Sequence, residues 1–119
     1  MTVQQMFNAL PILQRLMELR LPVKKAYETY NLIKVIEEKR DFITKEEQKL
    51  IQKFNCEITE ENLLKFQNIE DQANFFNEHN DLINFEFDIQ CIELNFDDLK
   101  DVEFTPMEMA QIDGVIKFI

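Results

Sequence analysis

The sequence predicts a mainly α fold: an antiparallel helical hairpin with flanking N- and C-terminal helices and a short extended segment. Three observations carry that expectation. Glycine occurs once and proline three times in 119 residues. That is too few for a hairpin-rich β fold, whose tight turns ask for φ > 0; Asn, which tolerates that region, is the available substitute. Apolar residues recur at three- and four-residue steps through most of the chain, the helical pattern. Between about 83 and 96 the period drops to two, the pattern of a half-buried strand. With 45% hydrophobic residues and eleven Phe, the chain 1–119 reads as a single domain with material for one core.

The first helix is expected over about 2–20. Thr2 and Gln5 form a capping box, and Met6, Ala9, Leu10, Leu13, Leu16 and Met17 make its apolar stripe. Pro11 lies inside the stripe and predicts a kink or a late start near Asn8–Pro11. The second helix, about 22–55, opens on Pro22, which suits a first helical position. Its stripe is Val23, Ala26, Tyr27, Tyr30, Ile33 and Ile36, resuming at Ile43, Leu50, Ile51 and Phe54 after the charged interval Glu37–Asp41. Lys34/Glu38 and Asp41/Lys45 are spaced to support that interval. Such a helix is ~50 Å long, more than one small chain covers along its whole extent. Thr44 with Glu47 offers a second capping box, so a break near Phe42–Thr44 is the competing reading.

Thr59, followed by Glu60 and Glu61, predicts the start of a third helix over about 59–80. Its buried face is Leu63, Phe66, Ile69, Ala73 and Phe76. The short connection places this acidic helix antiparallel against Lys45, Lys49 and Lys53. In the extended segment, Ile83, Phe85, Phe87, Ile89 and Cys91 alternate with polar residues, and the phase flips at Cys91-Ile92. Such a flip marks a bulge, a turn or a change of exposed side. Residues 102–104 suggest a second short strand. Thr105-Pro106-Met107-Glu108 combines N-cap, N1 proline and N3 glutamate ahead of a last helix over about 105–118, weakened at Gly114.

Charge divides the chain unevenly. Residues 1–56 carry ten Lys/Arg against seven acids, whereas residues 57–119 carry three against sixteen, for a net −10. The imbalance favours contact between the halves and leaves a negative surface that repels nucleic acid and attracts basic partners. Lys24, Lys25, Lys34, Lys39 and Arg40 could form a basic strip on the second helix. The net charge nevertheless argues against direct nucleic-acid binding.

No chemistry-bearing motif accompanies this pattern. His79 is the only histidine, has no Cys or acid cluster around it in sequence, and is expected near a helix end. No Gly-rich loop cradles phosphate. The acids Asp97, Asp98, Asp101 and Glu103 lack calcium-loop spacing. Cys56 and Cys91 lack CxxC spacing and are expected to be reduced, small hydrophobes. The first residues have no leader character, and no apolar run reaches the ~18 residues of a membrane span. The expectation is a non-enzymatic protein with no catalytic residue, metal, cofactor or membrane partner.

Several stretches also carry a resemblance. Leu19-Arg20-Leu21-Pro22-Val23-Lys24-Lys25-Ala26-Tyr27 leads into Leu32-Ile33-Lys34, and Leu50-Ile51-Gln52-Lys53-Phe54 closes the long helix. Phe85-Glu86-Phe87-Asp88-Ile89 and Phe104-Thr105-Pro106-Met107-Glu108 follow. In these the chain resembles small, uncharacterised proteins encoded by bacteriophages and prophages of low-GC bacteria. Pro11 and the lack of a proline near Gln90 depart from that pattern. The resemblance implies a viral origin, located in the virion or the host cytoplasm. With the long helix, it leads us to expect a self-associating virion or assembly component. The alternative is an acidic inhibitor of a basic host protein. Tyr27, Tyr30, Phe85, Phe87, Phe96 and Phe104 are the candidate partner-contact residues.

Overall fold

The computed structural model describes all 119 residues. The element order is α1 (Val3–Arg15), a 3₁₀ turn (Leu16–Glu18), α2 (Val23–Lys53), β1 (Glu57–Ile58), β2 (Leu64–Lys65), α3 (Ile69–Ile83), β3 (Ile92–Leu94), a 3₁₀ turn (Phe96–Leu99), α4 (Pro106–Ile112) and β4 (Ile116–Phe118). The class is mainly α, as expected. The particle is elongated, 55 × 26 × 19 Å, because α2 alone runs 31 residues, ~46 Å at the helical rise.

α1 begins where the capping box places it, with Thr2 Oγ1 accepting from Gln5 N–H and Gln5 Oε1 accepting from Thr2 N–H. The helix then passes through Pro11 without a late start. Pro11 is exposed, so the carbonyl it leaves unpaired, that of Phe7, lies on the outer side. Val3, Met6, Ala9, Leu10, Ile12 and Leu13 anchor the helix on both sides of it. Burial of the five larger of these side chains, about 1.5–3 kcal/mol each, outweighs one lost ladder bond. α2 is unbroken across Phe42–Thr44. Pro22 is its N-cap rather than its first residue, and Pro22 C=O accepts from Ala26 N–H.

The expected stripe on α2 is rotated in its first half. Val23, Ala26, Tyr27 and Tyr30 face outward, and the buried residues are Thr29, Leu32, Ile33, Ile36 and Ile43. Thr29 can be buried because its hydroxyl donates to Lys25 C=O at 2.8 Å, leaving the methyl to pack. Lys34/Glu38 and Asp41/Lys45 form no ion pairs; Arg40 instead pairs with Asp41 at 3.3 Å.

Helix 59–80 is the largest correction. Thr59 does start a turn: its C=O accepts from Asn62 N–H and its hydroxyl from Leu63 N–H. Asn62 then takes the left-handed region, φ 61°, which ends any helix and folds the chain back. β1 and β2 pair antiparallel around this loop, Glu57 opposite Lys65 and Ile58 opposite Leu64. α3 starts ten residues late, at Ile69, capped by Asn68 Oδ1 accepting from Asp71 N–H at 2.7 Å. A second left-handed Asn, Asn55 at φ 49°, closes α2. Cys56 N–H bonds Ile51 C=O and Asn55 N–H bonds Gln52 C=O, the paired bonds of a Schellman motif. Asn thus supplies both positions that a glycine-poor chain must fill.

The extended region divides between two partners, which explains the phase flip. Phe87 N–H and C=O bond Met1 C=O and N-terminal amine, and Thr2 bridges Glu86. Ile92–Leu94 instead pair parallel with β4, Ile92 opposite Ile116 and Leu94 opposite Phe118. β4 replaces the last third of the expected helix 105–118: α4 stops at Ile112 and the chain turns through Asp113-Gly114. Residues 102–104 are not a strand. They lead from the 3₁₀ turn to α4, with Val102 N–H donating to Leu99 C=O. β3, α4 and β4 form a crossover unit that brings Leu94, Leu99, Ile112, Val115 and Ile116 onto α1 and α2.

Candidate interaction surfaces

The core ends long before α2 does. Its 18 clustered residues include Ile43 as the last contribution from α2, and from Thr44 to Lys53 no residue of the helix is buried. This distal arm consists of the end of α2, the β1–β2 hairpin and α3. α3 runs antiparallel to α2: Phe54 meets Phe75 edge-on at 6.2 Å, Lys53 pairs with Glu78 at 2.6 Å, and Glu47 bonds His79 at 3.1 Å. The arm has its own aromatic cluster, Phe54, Phe66, Phe75, Phe76 and His79, yet only Phe75 is buried. Ile58, Leu63, Ile69 and Phe76 are all more than half exposed, Ile69 at 84%. Glu78 Oε2 is turned away from solvent with no hydrogen-bond partner. His79 lies within α3 rather than at its end.

The second surface is a groove of ≈ 560 Å³ between the first half of α2 and the segment leading into β3. Lys24, Tyr27, Glu28, Asn31, Leu32 and Val35 form one wall, and residues 89–93 form the other.

Of the six expected contact residues, Tyr27, Tyr30, Phe85 and Phe96 are exposed, at 64%, 49%, 55% and 65%. They do not meet in one patch. Tyr27 lines the groove, Phe85 stands on Phe87, and Phe96 stacks on Phe118 at 5.1 Å. Phe87 and Phe104 are corrections: Phe87 is buried in the core and Phe104 packs against it under the Arg15 guanidinium. Alternation alone cannot tell which side of a strand is wet; the backbone of Phe87 pairs with Met1, and Lys39 lies over its ring. Sequence reasoning missed Ile58, Leu63 and Ile69, because the expected helix 59–80 put Leu63 and Ile69 on a buried face. It also missed Val35 and Phe42, although their seven-residue spacing, off the Ile33/Ile36/Ile43 stripe, was visible.

Charge is only partly neutralised between the halves. Three ion pairs join them: Arg15–Glu108, Lys25–Asp98 at 2.8 Å and Lys53–Glu78. Hydrogen bonds from Lys25 and from Asn95 N–H hold the Asp98 carboxyl below the usual carboxylate range. Thr105 N–H, with Arg15 beside it, does the same for Glu108. Three members of the basic strip are engaged by these or other neighbours, since Lys39 lies over the Phe87 ring and Arg40 pairs with Asp41. Burial, and the Asp71 charge nearby, push the Cys56 thiol up, so it stays protonated at neutral pH and is a poor nucleophile. Cys91 is a free thiol donating to Gly114 C=O. No group of three His, Cys, Asp or Glu side chains converges as metal ligands, and no helix is long and apolar enough to cross a membrane. No family model, curated protein or solved structure matches the chain.

Proposed function

We propose that this chain is a non-enzymatic protein–protein interaction protein of phage type, a virion or assembly component that self-associates through its distal arm. The observation that carries the reading is the ending of the core at Ile43 while α2 continues to Lys53. An arm built on one buried aromatic, with Ile58, Leu63, Ile69 and Phe76 exposed, is the kind of apolar surface that a neighbour covers. A second copy fits because the arm carries both signs. Lys45 and Lys65 stand free of ion pairs, as do Glu57, Glu60, Glu61 and Glu70, so a two-fold arrangement can set the cations of one arm against the acids of another. The setting, virion or host cytoplasm, rests on the sequence resemblance.

Light scattering over a concentration series tests this. Wild type should form a defined oligomer, and Leu63→Lys with Ile69→Lys, both at exposed positions, should yield a folded monomer. A wild-type monomer at the highest concentration would refute self-association.

A second reading has one observation in its favour. Of the sixteen acids in residues 57–119, three are paired with Lys or Arg of residues 1–56. The remaining negative surface suits an inhibitor that occupies a basic site on a host protein. Its binding should weaken steeply as salt rises.

A further inference from the structure

The groove beside β3 has a feature that neither the arm nor the acidic surface uses. Ile92 N–H donates to Val115 C=O, and Leu94 C=O accepts from Ile119 N–H. In a parallel ladder those bonds point the backbone of residues 92 and 94 toward β4 and the backbone of Glu93 toward the opposite edge. Upstream, the backbone N–H and C=O groups of Ile89, Gln90 and Cys91 make no hydrogen bond within the protein. These same residues line the groove, with α2 as its far wall, where Tyr27 and Val35 are exposed and Leu32 is buried. An unpaired strand edge flanked by a slot with mixed apolar and polar walls is a template for one more strand.

We infer that this groove binds an extended peptide of another protein, which joins β3 as a third strand and carries basic residues alternating with apolar ones. Its backbone pairs with Cys91 and Glu93, two residues apart as a ladder requires. One set of its side chains packs against Tyr27 and Val35, and the other faces outward. Charge selects the occupant. The groove lining holds Glu28 and Glu93 against Lys24, Glu86 and Asp88 lie just upstream in a stretch 86–93 without Lys or Arg, and the protein is net −10. A second copy pairing edge to edge would set Glu86, Asp88 and Glu93 against themselves, which argues against self-pairing here.

The test uses the full chain, ¹⁵N-labelled, and an end-blocked hexapeptide of alternating lysine and valine. Saturable binding is expected, with the Cys91 and Glu93 amides shifted and slowed in hydrogen exchange. Methylating the peptide nitrogens on the pairing edge should weaken binding at least about tenfold, the effect of two lost hydrogen bonds. A glutamate–valine hexapeptide should bind more weakly than the lysine one. Val35→Lys, at a partly exposed wall position, should abolish binding and leave the spectrum otherwise native. Glu93→Pro, which removes the edge N–H without touching the β4 ladder, should act in the same direction. Equal binding of the N-methylated peptide, no binding at millimolar peptide, or shifts that miss Cys91 and Glu93 would each overturn the inference. So would protection of those amides without peptide in a dimer. An arm variant that is monomeric yet still binds the peptide would separate this site from self-association.

Discussion

Replacing Ile43 by Ala probes where the core ends. Ile43 is fully buried and is the last α2 residue in the core cluster. The change removes three carbons, which at ~0.8 kcal/mol each lose ~2.4 kcal/mol of transfer free energy. The cavity left in the core adds to this, placing the cost at about 2–5 kcal/mol. Ile69→Ala removes the same three carbons at a position 84% exposed, so its cost should stay within about 0.5 kcal/mol. Urea unfolding followed by far-UV circular dichroism, at concentrations low enough to keep the protein monomeric, measures both. The midpoint should move for Ile43→Ala with little change in slope. If Ile69→Ala were as costly as Ile43→Ala in the monomer, the arm would be covered from within the chain, and the reasoning would fail.

Three further outcomes follow from local structure. Asp98 and Glu108 have folded pKa values below their unfolded ones. Their stabilisation is therefore present above the ordinary carboxylate range and lost as pH falls through the lower folded values; Asp98→Asn with Glu108→Gln should flatten the acid side of a urea-midpoint-against-pH curve, and an unchanged slope would contradict the assignment. Asn55→Ala places a Cβ without a helpful side chain at φ 49° and should cost about 1–2 kcal/mol, whereas Asn55→Gly should be neutral or stabilising; equal loss in both would show that the Asn side chain, not the dihedral, matters. Gly114 has no heavy atom within 4 Å of an added Cβ and no positive φ, so Gly114→Ala should stabilise by about 0.4–1 kcal/mol through the unfolded chain, and a loss on thermal melting would refute that.

How much of this was legible in the sequence varies by element. The start of α1 and the length of α2 could be read because the Thr2/Gln5 box and the charged but helix-favouring interval 37–41 are local signals that nothing tertiary overrode; the expected helix 2–20 instead gives way to a 3₁₀ turn at Leu16. The start of α3 could not, because Thr59 and Asn68 are both competent caps, and the choice was made by Asn62 entering the left-handed region. β4 was hidden because Ile116 and Ile119 fit a helical step as well as Ile116 and Phe118 fit alternation. Its partner, β3, lies more than 20 residues upstream, a pairing that no local window contains. The surfaces were half legible. Tyr27 and Tyr30, expected on the apolar stripe of α2 as well as among the contact candidates, are exposed, as are Phe85 and Phe96. The burial of Phe87 was not legible, because its backbone pairs with Met1, 86 positions away. Leu63 and Ile69 escaped notice because they were assigned to the buried face of a helix over 59–80, of which only the part from Ile69 forms.

Hydrogen exchange read by mass spectrometry across protein concentration tests the uncovered arm most directly. The account predicts that residues 44–53 and 69–83 gain protection as concentration rises. Residues 29–43 of α2 should keep the same high protection throughout. Uniform, concentration-independent protection along the whole of α2 would contradict it.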